Sequence, residues 1–496
     1  MTGVALLPPG VRKEIRALWP VWAACAAAIV AGGFLDGINA LSAAVLAYAL
    51  GSVALGALSI GHEYTNRTLA QLLSLPGGRR RLYLVKLGVL IPMLLSLGAL
   101  AFVLLFNPRT LDHGPAATFP LVSVMCALFL APWLTMICRG PLAGIVFALV
   151  IPGMIFVAGD VAGFSAYGLG PEAARLKFAV FWWGMTGSCA VAAVLSWRMF
   201  MRLEAMEGRD PHVRLPRWLR DPAPATDVEL ARHPVWLLVK KELRLQHLTF
   251  VVSGIYLLEW AALWVLRLMA PGLEGTPFAV ATAFHSGAAA LLAGSLASAE
   301  ERHFGTLEPQ LLLPMATWKQ WTVKAGTTFG VVLLLAVALP ALLGRFSPSG
   351  DGLHVNGWFA AAMILLMAAS LYVSSLCASG LRALLASVAV MVSVVIAGSA
   401  LYSVIGSNVR RTILSILSAS QTDVLRSWAE PLAIALAAGF LALVLRFALV
   451  NHRSSERRVG RVAWQAARMV AWLIVAFVIL VACLAGDYRL ASVRTV

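Results

Sequence analysis

Few side chains in this sequence stand where they could do chemistry of their own. Glu259 lies about ten residues into an apolar run, ~15 Å along a helix. A carboxyl at that depth in a membrane is costly and marks a functional position by default. His285, in the next apolar run, is the partner the sequence offers it. The other reading is structural, with Glu259 facing a wet cavity or a backbone donor. The six cysteines all sit inside apolar runs with no CxxC pair, as small hydrophobes do. The nine histidines show no metal-ligand spacing. There is no GxxxxGK[ST] phosphate loop, so the chain does not hydrolyse ATP by that device. No Ser/His/Asp or Cys/His arrangement and no paired carboxylates stand out, and the expectation is a protein that is not an enzyme and binds no metal.

A second set of polar residues occurs twice. Lys13-Glu14-Ile15-Arg16 corresponds to Lys241-Glu242-Leu243-Arg244. Glu63, Thr68-Leu69, Leu73, Leu75, Pro76 and Lys86 correspond to Glu301, Thr306-Leu307, Leu311, Leu313, Pro314 and Lys324, all at one offset of 238 residues. A plain connector has no reason to repeat a Glu, a Thr-Leu and a Pro at matched spacing.

The elements that must carry these residues follow from composition. The 496 residues are 60% hydrophobic and 12% charged, about half the charge of a soluble chain. That excludes a soluble enzyme, a disordered chain and a disulfide scaffold. Apolar runs long enough to span a bilayer fall near 20–35, 40–60, 85–106, 118–138, 141–158 and 177–200. After a charged, Pro-rich stretch others fall near 248–268, 278–299, 322–344, 357–378, 383–405 and 428–450, with a last near 468–485. The reading is an all-α polytopic membrane protein with two parallel-repeat six-helix halves, 1–205 and 236–452. A cytosolic linker, 206–235, joins them, and a basic loop with an additional C-terminal helix, 453–496, follows.

The net charge of +16 would suggest nucleic acid in a soluble protein. Here it reads as topology. With the N-terminus cytosolic, 29 of the 39 Lys and Arg and 13 of the 23 Asp and Glu fall on the cytosolic side, so the whole excess lies there. Arg139 and Arg382 then serve as short-turn anchors, and nucleic acid is not expected as a partner. Both halves begin on the same side, so the repeats are parallel rather than inverted.

Val11, Ile15, Leu18 and Trp19 recur at helical spacing, with Arg12, Lys13 and Arg16 elsewhere. This predicts a short interfacial helix, apolar face in lipid and basic face toward anionic headgroups. Lys241, Glu242 and Arg244 repeat it. Thr68-x-x-Gln71 has capping-box spacing. It predicts a short cytosolic helix ending at Pro76. Thr306 caps its counterpart, with Glu308 near the helix N-terminus and Pro309 in the first turn. The outer loops between helices 5 and 6 and between 11 and 12 read as long, and Thr412–Leu417 in the second is apolar enough to dip into the bilayer.

An acidic residue followed by Gly-Thr-Leu-Glu, leucines, Pro and Lys between the second and third of six helices resembles the type-2 ABC exporter permeases, some of which are two six-helix units fused. The resemblance covers about 11–200 and 236–450. It implies a permease subunit exporting an amphipathic or lipid-like substrate, with two copies of an ABC ATPase or a related pair as partners. ATP and Mg would be bound by the ATPase and no cofactor by this chain. It further implies that Glu63, Thr68, Gln71, Glu301, Thr306 and Glu308 couple to the ATPase, in a plasma (bacterial inner) membrane. Arg67 and Ala70 depart from the pattern where the second half has Gly305 and Glu308, which implies unequal docking sites. The rival is an ion-coupled transporter with two parallel six-helix halves, for which Glu259 and His285 would be the coupling residues. A lipid-modifying enzyme would need a polar catalytic cluster that the sequence lacks.

Overall fold

A computed structural model describes residues 8–34, 38–66, 68, 78–105, 119–167, 170–202, 234–269, 276–306, 309–310, 315–346, 355–401, 419–453 and 459–484. These residues are helical throughout their ordered elements, with no strand among them. The reason is solvent: hydrocarbon offers backbone N–H and C=O groups no partner, and a helix satisfies them internally. The helices are α1 (Pro9–Phe34), α2 (Ile38–Thr65), α3 (Arg79–Leu104), α4 (Phe119–Met125 and Ala131–Cys138 about a π turn, Cys126–Leu130), α5 (Pro141–Tyr167) and α6 (Pro171–Met201). They continue as α7 (Pro234–Leu245), α8 (His247–Met269), α9 (Thr276–Phe304), and α10 (Thr317–Val332 and Leu339–Arg345 about a π turn, Leu333–Ala338). The last four are α11 (Gly357–Leu376), α12 (Gly380–Leu401), α13 (Ala419–His452) and α14 (Val459–Leu484). All but α7 are long and apolar enough to cross a membrane, thirteen in number among the described residues. The protein is thus an all-α polytopic membrane protein.

The chain divides into two compact units. One comprises 1–232, 251–283 and 347–353, and the other 233–250, 284–346 and 354–496. In each, one helix is central. α2 and α9 bury 72% and 67% of their most apolar stretches, against 50% or less for every other span. Their sequences explain this, since small residues let neighbouring backbones approach. A Cβ on Gly56 would fall 2.0 Å from the Ala127 carbonyl oxygen of α4, and one on Gly294 would fall 2.6 Å from that of Met367 in α11. These two glycines are again 238 apart.

Proline causes both π turns. Pro132 and Pro340 lack the N–H that the helix needs, and the ladder shifts by one residue before each. Ala131 N–H bonds back to Cys126 and Leu339 N–H to Leu334. In that register Pro132 leaves the Ala127 carbonyl without a donor, and Pro340 leaves that of Leu335.

Two expectations are corrected. The first amphipathic stretch is not a separate interfacial helix but the first turns of α1, which runs unbroken through Pro20. Leu18 is fully buried, and Val11 and Ile15 pack on the same core as Tyr48, Leu90 and Leu94, so these three meet protein, while Trp19 of the same face is exposed. Its counterpart α7 is a separate helix and does expose Val235, Trp236 and Leu237. The loop between helices 5 and 6 is also not long. α5 extends to Tyr167 and α6 begins at Pro171. Lys177 Nζ, 2.6 Å from Asp160 Oδ1 and over the Phe156 ring, clasps this extended hairpin. The segment 412–417 and the linker lie outside the described residues.

The additional helix α14 is docked by polar contacts as well as apolar ones. Gln465, 1% exposed, exchanges hydrogen bonds of 3.2 Å with the Asn451 amide and accepts one of 3.2 Å from Tyr372 Oη. Asn451 also donates to Ser375 Oγ at 3.3 Å.

Candidate functional site

The repeated charged residues assemble into two buried ion clusters, one in each unit. In the first, Lys86 of α3 extends its ammonium between α1 and α2. Its Nζ lies 2.7 Å from Glu14 Oε1, 3.3 Å from Glu63 Oε1 and 2.9 Å from the Ser59 carbonyl. Lys13 Nζ reaches Glu63 Oε1 at 2.8 Å from the cluster's rim. His62 Nε2 is 3.0 Å from the same oxygen, and the Thr68 hydroxyl donates to Glu63 Oε2.

In the second, Lys324 of α10 plays the part of Lys86. Its Nζ lies 3.1 and 3.3 Å from the Glu242 oxygens, 2.6 Å from Glu301 Oε2 and 2.7 Å from the Ala297 carbonyl. Lys241 Nζ lies 2.5 Å from Glu301 Oε1 and 2.5 Å from Gln310 Oε1. Even the carbonyls correspond, since Ser59 and Ala297 are 238 apart. Each cluster sets two ammoniums against two carboxylates. Such neutrality is what allows charge inside a membrane protein, because an unpaired ion there is penalised heavily.

The clusters do something local to the chain. Thr306 N–H donates to the Glu301 carbonyl at 2.9 Å and Gly305 N–H to that of Arg302 at 3.3 Å. This is a Schellman ending, and Gly305 holds the left-handed position it requires, φ 69°. Thr68 N–H makes the corresponding bond to the Glu63 carbonyl at 3.0 Å. Each Glu therefore fixes its helix end twice, by its carboxylate to the neighbouring helices and by its carbonyl to the departing chain. The Thr306 carbonyl accepts from Gln310 N–H at 3.2 Å, as a helix cap residue does. Gln71 and Glu308 lie outside the described residues.

Glu63 and Glu301 are 0% exposed. They offer a partner no contact, only a fixed start for the connection that follows. Arg16 is exposed, and Arg244 is half-buried. Glu242, on α7 outside the spans, is pushed up to about 7 by burial, against the pull of Lys324. Glu14, His62 and Glu63 also bring three possible metal-ligand atoms within 4.8 Å of one another. The Lys86 ammonium already takes the cation's place among them, so the residues do not fit a metal.

Glu259 and His285 fall in different compact units. Glu259 is half-buried in α8. His285 is buried and its Nε2 donates to the Leu335 carbonyl at 2.9 Å, the acceptor that Pro340 leaves without a helical donor. This gives the histidine a structural task.

Sequence reasoning noted the matched Lys86 and Lys324 but gave them no role. Carrying the 238 offset back from Glu63 would have found Gly56 with Gly294. No protein-family model matches the chain, and no curated protein or solved structure matches it either.

Proposed function

We propose that the chain is the membrane-spanning permease subunit of an ABC exporter, driven by a separate ATPase pair and moving an amphipathic or lipid-like substrate. The observation that carries this reading is the recurrence of one ion cluster at the same point in both halves. Two inputs, each fixed to a central helix, are what a partner with two-fold symmetry needs. In this reading the partner sits on the connections 69–77 and 307–314. Movement there passes through the Thr68 and Thr306 turns to α2 and α9, and through Lys13 and Lys241 to the N-terminal helix of each half. Glu63, Thr68, Glu301 and Thr306 are positioning residues, and Gln71 and Glu308 are the candidates for direct contact. ATP and Mg belong to the partner. The N-terminus is cytosolic and the membrane is the plasma (bacterial inner) membrane.

The test is purification of the full chain from its source membrane in mild detergent, followed by assay for a co-purifying ATPase. Glu308→Lys and Gln71→Lys should release that ATPase while leaving the unfolding midpoint unchanged. If none co-purifies, and transport instead collapses on Glu259→Gln and under a proton-gradient uncoupler, the chain is an ion-coupled carrier.

A further inference from the structure

We propose that Trp264 and Arg267 form a binding site for the anionic group of an amphiphile, a phosphate or carboxylate, at the end of α8 away from Lys241 and Glu242. The inference does not depend on the permease reading.

One face of α8 pairs with α9 in regular steps. Tyr256 Oη bonds Thr282 Oγ1 at 2.9 Å, and the Trp260 ring meets Phe278 edge-on with centroids 6.0 Å apart. Trp264 and Arg267 are the next positions on that face, by steps of four and three. Continuing the pairing brings them past Thr276, where α9 begins. They therefore lie beyond the start of α9, and Arg267 is only 9% exposed. Its Nη1 and the indole Nε1 of Trp264 are both buried without a hydrogen-bond partner.

Two buried donors without acceptors define the ligand. A guanidinium keeps its charge in any protein environment, and an indole N–H can only donate. A buried guanidinium N–H without an acceptor is unfavourable. A group bringing negative charge and at least two acceptor oxygens would remove that penalty, and a phosphate or carboxylate does so.

The repeat supplies an independent argument. The N-terminal charged motifs are 228 apart, while the α2 and α9 motifs are 238 apart. α9 begins at the position matching the start of α2. The ten extra residues are taken up by seven at the end of α8 and three in the connection after it. Trp264 and Arg267 both lie in the added helix, so the first half has no counterpart. The competing partner inside the chain is Glu274, in the connection 270–275.

The test is native mass spectrometry of the full chain in detergent, titrated with dioleoylphosphatidylglycerol. A cationic lipid with the same chains serves as control. Arg267→Gln should weaken the phosphatidylglycerol adduct about tenfold and Trp264→Phe, which keeps a ring but loses the N–H, about threefold. Arg382→Gln, an exposed arginine elsewhere, should leave it unchanged. Trp264→Phe keeps the test decisive where Arg267→Gln does not fold. Displacement of the lipid by millimolar inorganic phosphate would assign the site to a free anion; resistance would assign it to a lipid headgroup. An adduct equally strong in both site variants, or one that forms only in Glu274→Gln, overturns the proposal.

Discussion

Removing Lys324 tests whether the ion clusters hold the central helices. Lys324 is 0% exposed and its ammonium touches Glu242, Glu301 and the Ala297 carbonyl. Lys324→Met keeps an unbranched stem and removes the ammonium. It leaves Glu242 and Glu301 sharing Lys241. Breaking a buried pair by deleting one partner costs about 3–5 kcal/mol. The lower end applies, because Glu242 can shed its charge. Burial holds that carboxyl near 7, above its ordinary value of 4.5. The sign follows: the fold favours the protonated acid, so the stability it contributes is full below 4.5 and is lost as pH rises through about 7. Near pH 5 the folded cluster already carries one negative charge fewer, and Lys324 has less to balance. The expected loss is therefore about 3 kcal/mol near pH 8 and about half that near pH 5. Lys324→Met with Glu242→Gln should recover about 1 kcal/mol near pH 8, because one uncompensated carboxylate is gone. Unfolding in mixed dodecyl sulfate micelles, followed by tryptophan fluorescence, reads all of these. Equal losses at the two pH values, or additive losses in the double variant, would refute the reasoning.

Other expected outcomes rest on separate contacts. Gly56→Ala and Gly294→Ala drive a methyl into a neighbouring backbone and should each cost about 1–3 kcal/mol by the same unfolding assay. Gly254→Ala, with open space around its Cβ, should cost nothing measurable. Gly305→Ala strains a left-handed residue and should lose about 1 kcal/mol; a gain would refute the Schellman assignment. Gln465→Leu leaves Asn451 and Tyr372 short of partners. It should cost about 1–3 kcal/mol and loosen α14, read as faster proteolysis between 454 and 458.

Span number and helical class were legible because a hydrocarbon solvent allows the backbone few alternatives, and long apolar runs announce it. Matched motifs were legible because two copies of a pattern carry their own control. What eluded the sequence was which apolar face meets protein and which meets lipid. Val11, Ile15 and Leu18 have the same periodicity in either setting; only the neighbours Tyr48 and Leu90 decide it. The extended α5–α6 hairpin was missed for a related reason. Asp160, Glu172 and Lys177 look like loop residues, yet two of them are a pair inside the hairpin, 2.6 Å apart. The repeated glutamates read as ATPase-coupling residues by the family resemblance alone, and their burial was not legible. Their two lysine partners lie on different helices, Lys13 and Lys86 for Glu63, and periodicity along one helix gives no sign of such a meeting.

The repeat is strict in one place and broken in another. Around the paired lysines both halves use matching residues for matching ion pairs, down to the carbonyls of Ser59 and Ala297. At the far end of α8 the second half alone adds two turns of helix with a buried guanidinium. A site present once must leave a mark in one half only. Hydrogen exchange with and without phosphatidylglycerol should slow amides at the end of α8 near Arg267 and leave those at the end of α1, the matching place in the first half, unchanged. Equal protection of the two helix ends would mean that the lipid coats both and selects neither, against a site made by Trp264 and Arg267.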